Sequence, residues 1–131
     1  MAQIDKELKK LADFHGMDGA ETSEIKDAEK QLDTNFAADF SAYLQAFALA
    51  SANGHELTGL CKSGRLNVVK VTETERERHK DIDPSWYVIE RIGIDGALAW
   101  QAPDGSIYET TPHSDSVKLC DSLLEYVASD E

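Results

Sequence analysis

Few residues in this sequence have the types and spacing that catalysis or metal binding requires. The four histidines, His15, His55, His79 and His113, have no second histidine three or four positions away, and no cysteine–histidine cluster has zinc-site spacing. The motifs GxSxG, GxxxxGK[ST], GxGxxG and HExxH are absent, which removes the motif support for four large enzyme classes. The sequence therefore predicts no catalytic residue, no metal and no cofactor.

The acidic residues contain two patterns that resemble sites. The segment DIDPSW, residues 81–86, begins like a calcium loop, but Ser85 and Trp86 stand where that loop needs Asp or Asn and then glycine. Between residues 73 and 80, glutamates alternate with basic residues, which favours a solvated, mutually neutralising face. Because catalytic carboxylates are often far apart in sequence, an enzyme with scattered carboxylates stays open as an alternative.

Charge is the strongest global signal of the sequence. The 131 residues include 25 acidic and 13 basic ones, a formal net charge of −12 with a sequence pI near 4.6. Such a chain is repelled by nucleic acid and by anionic lipid and attracted to cationic surfaces, which predicts a basic protein partner, with no nucleic acid and no membrane. Acidity that serves only solubility is the competing interpretation. The oligomeric state does not follow from the sequence.

The compartment is predicted from what the chain lacks. It has no apolar segment typical of a secretory signal and no apolar run long enough to cross a bilayer, so we expect a cytoplasmic protein. Cys61 and Cys120 are far apart and form no CxxC motif. In a reducing cytosol they are expected to be free thiols buried as small hydrophobes, a disulfide being the alternative.

Apolar residues recur at helical spacing in three N-terminal segments. The first predicts a short helix with Ile4, Leu8, Leu11 and Ala12 on one side. The second is capped by Thr22 or Ser23, has Glu24 at its positive end and buries Ile25, Ala28 and Leu32. The third is predicted to end at Asn53-Gly54, with a stripe of core residues: Phe40, Tyr43, Leu44, Phe47 and Ser51.

The pattern changes after Gly54. HELTGL and RLNVVKV are expected to be short strands, and the capping-box spacing Thr72-x-x-Glu75 predicts one or two helical turns. The last predicted helix spans residues 116–128, with a stripe of Val117, Cys120, Leu123, Leu124 and Val127.

The segment WYVIERIGIDGALAWQAPDGSIYETTP predicts a three-stranded antiparallel meander. Asp95-Gly96 favours a two-residue type I′ turn, which pairs Ile94 with Ala97, Ile92 with Ala99, Arg91 with Trp100 and Glu90 with Gln101. The segment 102–106 predicts a type I turn closed by a left-handed glycine, with Trp100 facing Tyr108. Turn chemistry thus explains Asp95 and Asp104 without catalysis.

These elements predict a single domain, residues 1–131, of the α+β class. Its mainly antiparallel sheet consists of the C-terminal three-stranded meander plus short strands, packed with N-terminal helices and a C-terminal helix.

Several of these segments together resemble a known family. Ala28-Glu29 and Leu32, Phe36 with Asp39-Phe40 and Tyr43-Leu44, Asn53-Gly54, the WYVI strand and Asp95-Gly96 are similar to motifs of the SUKH immunity-protein superfamily, which is related to fungal cell-wall-assembly regulators. The resemblance covers roughly residues 22–127. This chain has Ala37 where the family commonly has a proline before the third helix, so the start of that helix is expected to be less sharply defined.

The resemblance implies a helix–sheet–helix plan and a function. Bacterial relatives act as immunity proteins that neutralise polymorphic or contact-dependent toxins, many of them nucleases, by stoichiometric occlusion, and the family supplies no catalytic residues. A basic toxin domain as partner fits the acidity of the chain. Two other hypotheses remain: a regulatory or scaffold interaction module, as the fungal relatives suggest, and the enzyme with scattered carboxylates.

The predicted pairing divides the meander into two faces. One is expected to be core: Trp86, Val88, Ile92, Ile94, Ala97, Ala99 and Ile107. The other combines aromatic residues with arginine, as binding hot spots do: Tyr87, Ile89, Arg91, Leu98, Trp100 and Tyr108. We therefore expect partner-binding residues at Arg91, Trp100, Tyr108 and Tyr87, the first three partly exposed. Helices that cover both faces, with Arg91 stacked on Trp100 at an edge, are the competing interpretation.

Overall fold

The computed structural model describes residues 4–92, 96–112 and 114–129. These residues form five helices and two antiparallel sheets of three and four strands, which confirms the α+β class with mainly antiparallel sheet. In chain order the elements are α1 (Ile4–Lys9), β1 (His15–Gly16), α2 (Thr22–Leu32), α3 (Ala38–Phe47), β2 (Ala50–Ala52), β3 (His55–Glu56), α4 (Val68–Arg78), β4 (Tyr87–Arg91), β5 (Leu98–Gln101), β6 (Ile107–Thr111), β7 (Ser114–Cys120) and α5 (Leu123–Ala128).

The larger sheet, in the order β4-β5-β6-β7, separates two apolar clusters. Its first face packs with α1, α2, α3 and α5 into the main core, whose largest buried side chains include Phe40, Tyr43, Tyr87 and Ile107. Its second face packs against α4 in a smaller cluster of Val71, Val88, Leu98 and Trp100. Helices therefore cover parts of both faces.

The first three helices bury most of the predicted stripe residues, but Leu11 and Ala12 lie beyond α1, which ends at Lys9. Ile4 and Leu8 of α1 are buried, as are Ile25, Ala28 and Leu32 of α2 and four predicted residues of α3, namely Phe40, Tyr43, Leu44 and Phe47. The residue that precedes α2 is Glu21 rather than Thr22 or Ser23, and its N–H donates to the Glu24 carboxylate at 2.9 Å.

The end of α3 differs from the prediction. The helix ends at Phe47, because Ala48 adopts a left-handed φ of 61° while its N–H still bonds the Leu44 carbonyl. Asn53 and Gly54, with φ of 53° and 83°, form the tight turn between β2 and β3 that pairs Ala52 with His55. Ser51, predicted in the helical stripe, therefore lies in β2.

The predicted strand RLNVVKV is wrong, since its valines begin α4. Asn67 caps this helix, because its side-chain oxygen accepts bonds from the N–H groups of Val69 and Lys70. The cap overrides the β preference of the valines, and Val68 and Val71 become buried on two sides of the helix. Of HELTGL, only His55–Glu56 is strand.

The predicted helix over residues 116–128 is wrong in its first half. Residues 114–120 form β7, and only Leu123–Ala128 is helical, starting where the Ser122 hydroxyl accepts a bond from the Glu125 N–H at 3.1 Å. Val117 has an apolar residue at strand spacing, Leu119, as well as one at helical spacing, Cys120, so the apolar pattern of this segment does not decide between the two structures. The meander is consequently a four-stranded one.

The second turn of the meander is confirmed. The Ala102 N–H donates to the Ser106 carbonyl, the Gly105 N–H donates to the Ala102 carbonyl, and Gly105 has φ of 103°. Trp100 pairs with Tyr108.

The first turn gives a different register from the predicted one. Ile94 and Asp95 lie outside the described residues, but Tyr87 pairs with Gln101 and Arg91 with Leu98. The predicted pairs of Arg91 with Trp100 and of Glu90 with Gln101 are therefore wrong. The Ile92 N–H bonds the Ala97 carbonyl, so four residues rather than two separate the strands, and a bulge near Ile89 adds a further shift.

The new register changes which residues of β4 are core. Tyr87 and Ile89, predicted on the binding face, point into the main core, whereas Val88 and Trp86 lie with the cluster under α4. Ile92, predicted to be core, is exposed. The bulge between Val88 and Glu90 makes the total shift at residues 86–88 an odd number of residues, which exchanges the two faces of the strand there. Arg91 moves by two residues, from Trp100 to Leu98, so Ile92 keeps its predicted face and its exposure is a separate correction.

Trp100 lies on the second face as predicted, but it is not exposed. The helix α4 packs on this face, and the indole of Trp100 is completely buried in the smaller cluster. The predicted partial exposure of Trp100 is thus wrong.

This burial makes Trp100 a residue on which stability depends. We expect Trp100→Ala to lower the free energy of unfolding by about 3–5 kcal/mol, because it leaves a cavity and removes the indole N–H bond to the Thr110 hydroxyl. Val117→Ala, at a 58% exposed position, should cost less than about 1 kcal/mol. Chemical denaturation of both variants measures this, and equal losses would contradict the assignment.

Candidate functional site

Two of the four predicted partner-binding residues are inside the protein. Tyr87 and Trp100 have no exposed surface. The Tyr87 hydroxyl accepts a bond from the Ala37 N–H and donates one to the Gln101 side chain, both at 2.8 Å. Their aromatic surface is used in packing and is not presented to a partner.

Arg91 is held at the edge of the second face by a buried carboxylate. Glu75 of α4 is only 3% exposed, and its Oε2 accepts bonds from Nε and an Nη of Arg91 at 3.3 and 3.2 Å. The sequence pattern predicts a solvated face here, and that interpretation is wrong for Glu75. Arg91 therefore neutralises a buried charge and does not stack on Trp100.

Tyr108 is the one aromatic residue among the four predicted binding residues that is partly exposed. Its ring lies 4.1 Å from that of Trp86, with 12° between the planes, and both side chains are half-buried. The sequence did not predict Trp86 on this face, because the register error placed it in the core. The two rings form the aromatic stack, which lies on the second face beside β7.

A large concave surface lies on the other side of the sheet from the aromatic stack. This cavity, of about 640 Å³, is named here the acidic groove, and it opens between the sheet, α5 and the β2–β3 turn. Its lining consists of Gly54, His55, Glu90, Ile92, Glu109, Leu119, Cys120, Glu125, Tyr126 and Ser129. These residues come from separate stretches of chain, so no local sequence motif marks the groove.

The floor of the groove is a buried carboxylate with three hydrogen-bonding partners. One oxygen of Glu90 contacts His55 Nδ1 at 2.9 Å and accepts the Tyr126 hydroxyl at 2.5 Å, and the other accepts the Glu56 N–H at 2.7 Å. All three contacts are made by the Glu90 side chain, so Glu90 links its own strand β4 to β3 and to α5.

Burial and the contacts with Glu90 change the pKa values of His55 and Tyr126 in the floor of the groove. The hydrogen bond to Glu90 raises the pKa of His55 above its usual 6.5, against the opposing effect of burial. Burial first, and then the charge of Glu90, raise the pKa of Tyr126. The tyrosine therefore stays a neutral donor at physiological pH.

The rim of the groove combines negative charge with apolar surface. Among the described residues, its lining includes three glutamates, no lysine and no arginine; Glu125 is exposed and Glu109 is half-buried. Ile92 and Leu119 are among the few large apolar side chains that are exposed. From Ile92 to the end, the sequence carries eight acidic residues but only one lysine and no arginine, so few basic residues offset the negative charge in this part of the chain.

The side chains of the groove that could take part in chemistry, Glu90 and Cys120, are already hydrogen-bonded or less reactive than usual. Glu90 is occupied by its three contacts, and burial raises the pKa of the Cys120 thiol, which lowers its reactivity. Both cysteines are free and half-buried. Over residues 4–92, 96–112 and 114–129, no group of three or more His, Cys, Asp or Glu residues is arranged to hold a metal. The arrangement suits binding of a cationic and apolar surface.

A comparison with protein families finds a match over almost the whole chain. A family model described as SUKH_5, SMI1-KNR4 cell-wall, matches residues 1–129. The chain belongs to this SUKH family. No curated protein matches its sequence.

Two features of this SUKH protein concern expectations raised by its sequence. Ala37, which stands in place of the family's common proline, donates its N–H to the Tyr87 hydroxyl, so a tertiary bond holds the start of α3. In the part of the chain that the structure describes, no helix is both long and apolar enough to cross a membrane.

The His55–Glu90 pair of this SUKH protein predicts a pH dependence of stability. Because the pKa of His55 is raised on folding, its contribution is fully present below about pH 6.5 and is lost as the pH rises through the folded-state pKa. We expect the free energy of unfolding to fall over that interval. Denaturation at a series of pH values, with NMR titration of the His55 ring, measures it.

His55→Gln is the matched control, since glutamine keeps a hydrogen-bonding group but does not titrate. The difference in pH dependence between the two proteins isolates His55. Identical pH profiles above about pH 6, or a His55 pKa below its usual 6.5, would show that the pair does not act in this way.

Proposed function

We propose that this protein is an immunity protein that binds a basic toxin domain and neutralises it by occluding its surface. The observation that carries the proposal is the acidic groove, in which Glu109 and Glu125 lie beside exposed Ile92 and Leu119. Membership of the SUKH family supports it, because the superfamily resemblance implies toxin neutralisation.

The groove fits a partner that presents lysine or arginine side chains among apolar ones. A cationic head would be attracted to the glutamates, while its methylene stem and neighbouring residues would cover Ile92 and Leu119. A nuclease is basic where it holds phosphate, and a carboxylate-rich surface competes for the same charges. Binding there needs no catalytic group.

Steering adds a kinetic advantage to this fit. The net charge of −12 attracts a basic domain over distances near the Debye length, about 8 Å at physiological salt. Electrostatic attraction of this kind raises association rates to about 10⁸–10⁹ M⁻¹s⁻¹ at low salt. Fast capture suits a protein that must reach a toxin before the toxin acts.

A regulatory or scaffold module is the second candidate, because the description of the family names the cell wall. Such a module would use the same groove for a different protein. The enzyme alternative has weaker support, since the buried carboxylate of the groove already has hydrogen-bonding partners.

Co-expression tests the proposal directly. The probe is the variable C-terminal domain of any large secreted protein that a gene beside the one for this chain encodes. We expect that domain to be toxic alone, growth to be rescued by this protein, and a stoichiometric complex to survive gel filtration. Toxicity without rescue, or a neighbouring operon for envelope synthesis with no such domain, would contradict the immunity role.

Charge variants test the groove within that complex. We expect Glu109→Gln with Glu125→Gln to weaken binding by about 3- to 10-fold at low salt, mainly through slower association, and less at high salt. A glutamine introduced at position 125 can still receive the capping bonds at the start of α5. Stopped-flow or surface plasmon resonance kinetics over a salt series measure the effect.

Asp27→Asn with Glu77→Gln is the matched control, because it removes the same net charge from exposed positions on α2 and α4. If both double variants slow association equally, overall charge rather than the groove attracts the partner. If neither depends on salt, electrostatic steering is excluded.

A further inference from the structure

Within residues 4–92, 96–112 and 114–129, no strand pairs with the outer edge of β7, the last strand of the larger sheet. Among the described residues, β7 pairs only with β6, although it is seven residues long. Val117 and Leu119 of β7 are 58% and 42% exposed. Long edge strands with exposed apolar side chains are templates for pairing with another chain.

The opposite edge of the same sheet is covered by the chain itself. The Thr58 N–H donates to the Ile89 carbonyl of β4, and the Thr58 hydroxyl donates to the Val88 carbonyl, both at 2.8 Å. The segment after β3 therefore occupies hydrogen-bonding positions that a partner strand would need at β4. In the part of the chain that the structure describes, β7 is the accessible edge.

Both sides of β7 have surfaces that could receive the side chains of an added strand. Val117 pairs with Glu109, which places it on the side of the acidic groove. Lys118 pairs with Tyr108, which places it on the side of the aromatic stack with Trp86. Since successive side chains of a strand point to opposite faces, an added strand would reach both surfaces.

We propose that an extended segment of the basic partner adds to β7 as a fifth strand of the sheet. This proposal rests on the proposed function and specifies how the partner is bound. Main-chain hydrogen bonds would form along β7, basic side chains on one face would meet Glu109 and Glu125, and apolar side chains on the other would meet the aromatic stack.

Charge complementarity favours this occupant over a second copy of the chain. Each copy carries a formal charge of −12, and the last forty residues contain eight acidic residues and one lysine, which already contacts Asp121 at 2.7 Å. Two β7 edges would therefore meet with like charge on both sides. A basic segment meets the same edge with opposite charge.

Amide hydrogen exchange of the complex tests the proposal. The probe is the same toxin domain used for co-expression, mixed with this protein at saturating concentration. We expect amides within residues 114–120 to exchange about tenfold more slowly in the complex, while those of β5, which has a strand on each side, change little.

The outcomes separate this proposal from the function. A complex that forms and rescues growth without new protection in β7 would overturn strand addition and leave the immunity role intact. Failure of any complex would overturn both. If the amides of β7 exchange more slowly in the free protein as its concentration is raised, the added strand comes from a second copy of the chain and not from the partner.

A surface variant provides an independent measurement. Val117→Lys adds positive charge on the accessible edge, so partner binding should weaken about tenfold or more. Met17→Lys is the matched control, since Met17 is 59% exposed near β1 and receives the same charge change. Circular dichroism checks that both fold, and equal affinities of the two variants would contradict the assignment.

Discussion

A hydrogen bond between two buried side chains determines how the larger sheet is aligned. Tyr87 and Gln101 lie opposite each other in β4 and β5, both fully buried, and the tyrosine hydroxyl donates to the glutamine oxygen at 2.8 Å. The glutamine amide donates to Asp39 at the start of α3, and the same carboxylate accepts the Leu123 N–H at the start of α5. One connected set of polar groups thus places two strands and two helices relative to one another.

The alternative register would break this network. Pairing Glu90 with Gln101, as the turn chemistry predicts, moves Tyr87 away from the Gln101 oxygen and leaves the hydroxyl proton of Tyr87 without that acceptor, and an unmade buried hydrogen bond costs about 1–3 kcal/mol. In the observed register Glu90 instead pairs with Ala99 and meets His55 and Tyr126. The acidic groove is therefore a consequence of the alignment that Tyr87 and Gln101 impose.

The sequence predicts the parts of the fold in which local pattern and burial agree. The stripes of α2 and α3 and the turn at Gly105 are such cases, because each is decided by residues close together in the chain. It predicts only one or two turns of α4, near Thr72, because a single cap at Asn67 outweighs the β preference of the valines that begin this helix. It does not predict β7, because Val117 has an apolar residue both at strand spacing, Leu119, and at helical spacing, Cys120. Sequence reasoning misses the groove because its residues meet only through long-range register, and it misplaces Trp100 because the helix that covers this side chain has the composition of a strand.

The negative charge around β7 restricts which chains can pair with its accessible edge. Main-chain pairing is nearly indifferent to sequence, so an exposed edge strand alone would pair with any extended chain, including its own copies. Like charge around β7 disfavours the copies. Under the proposed strand addition, the surfaces on its two sides, Glu109 on one and Tyr108 on the other, would discriminate among the remaining chains by side-chain chemistry. The irregular pairing of β6 with β7 further limits how a flat foreign strand can align. Selectivity at such an edge would therefore come from excluding wrong partners as much as from attracting a basic one.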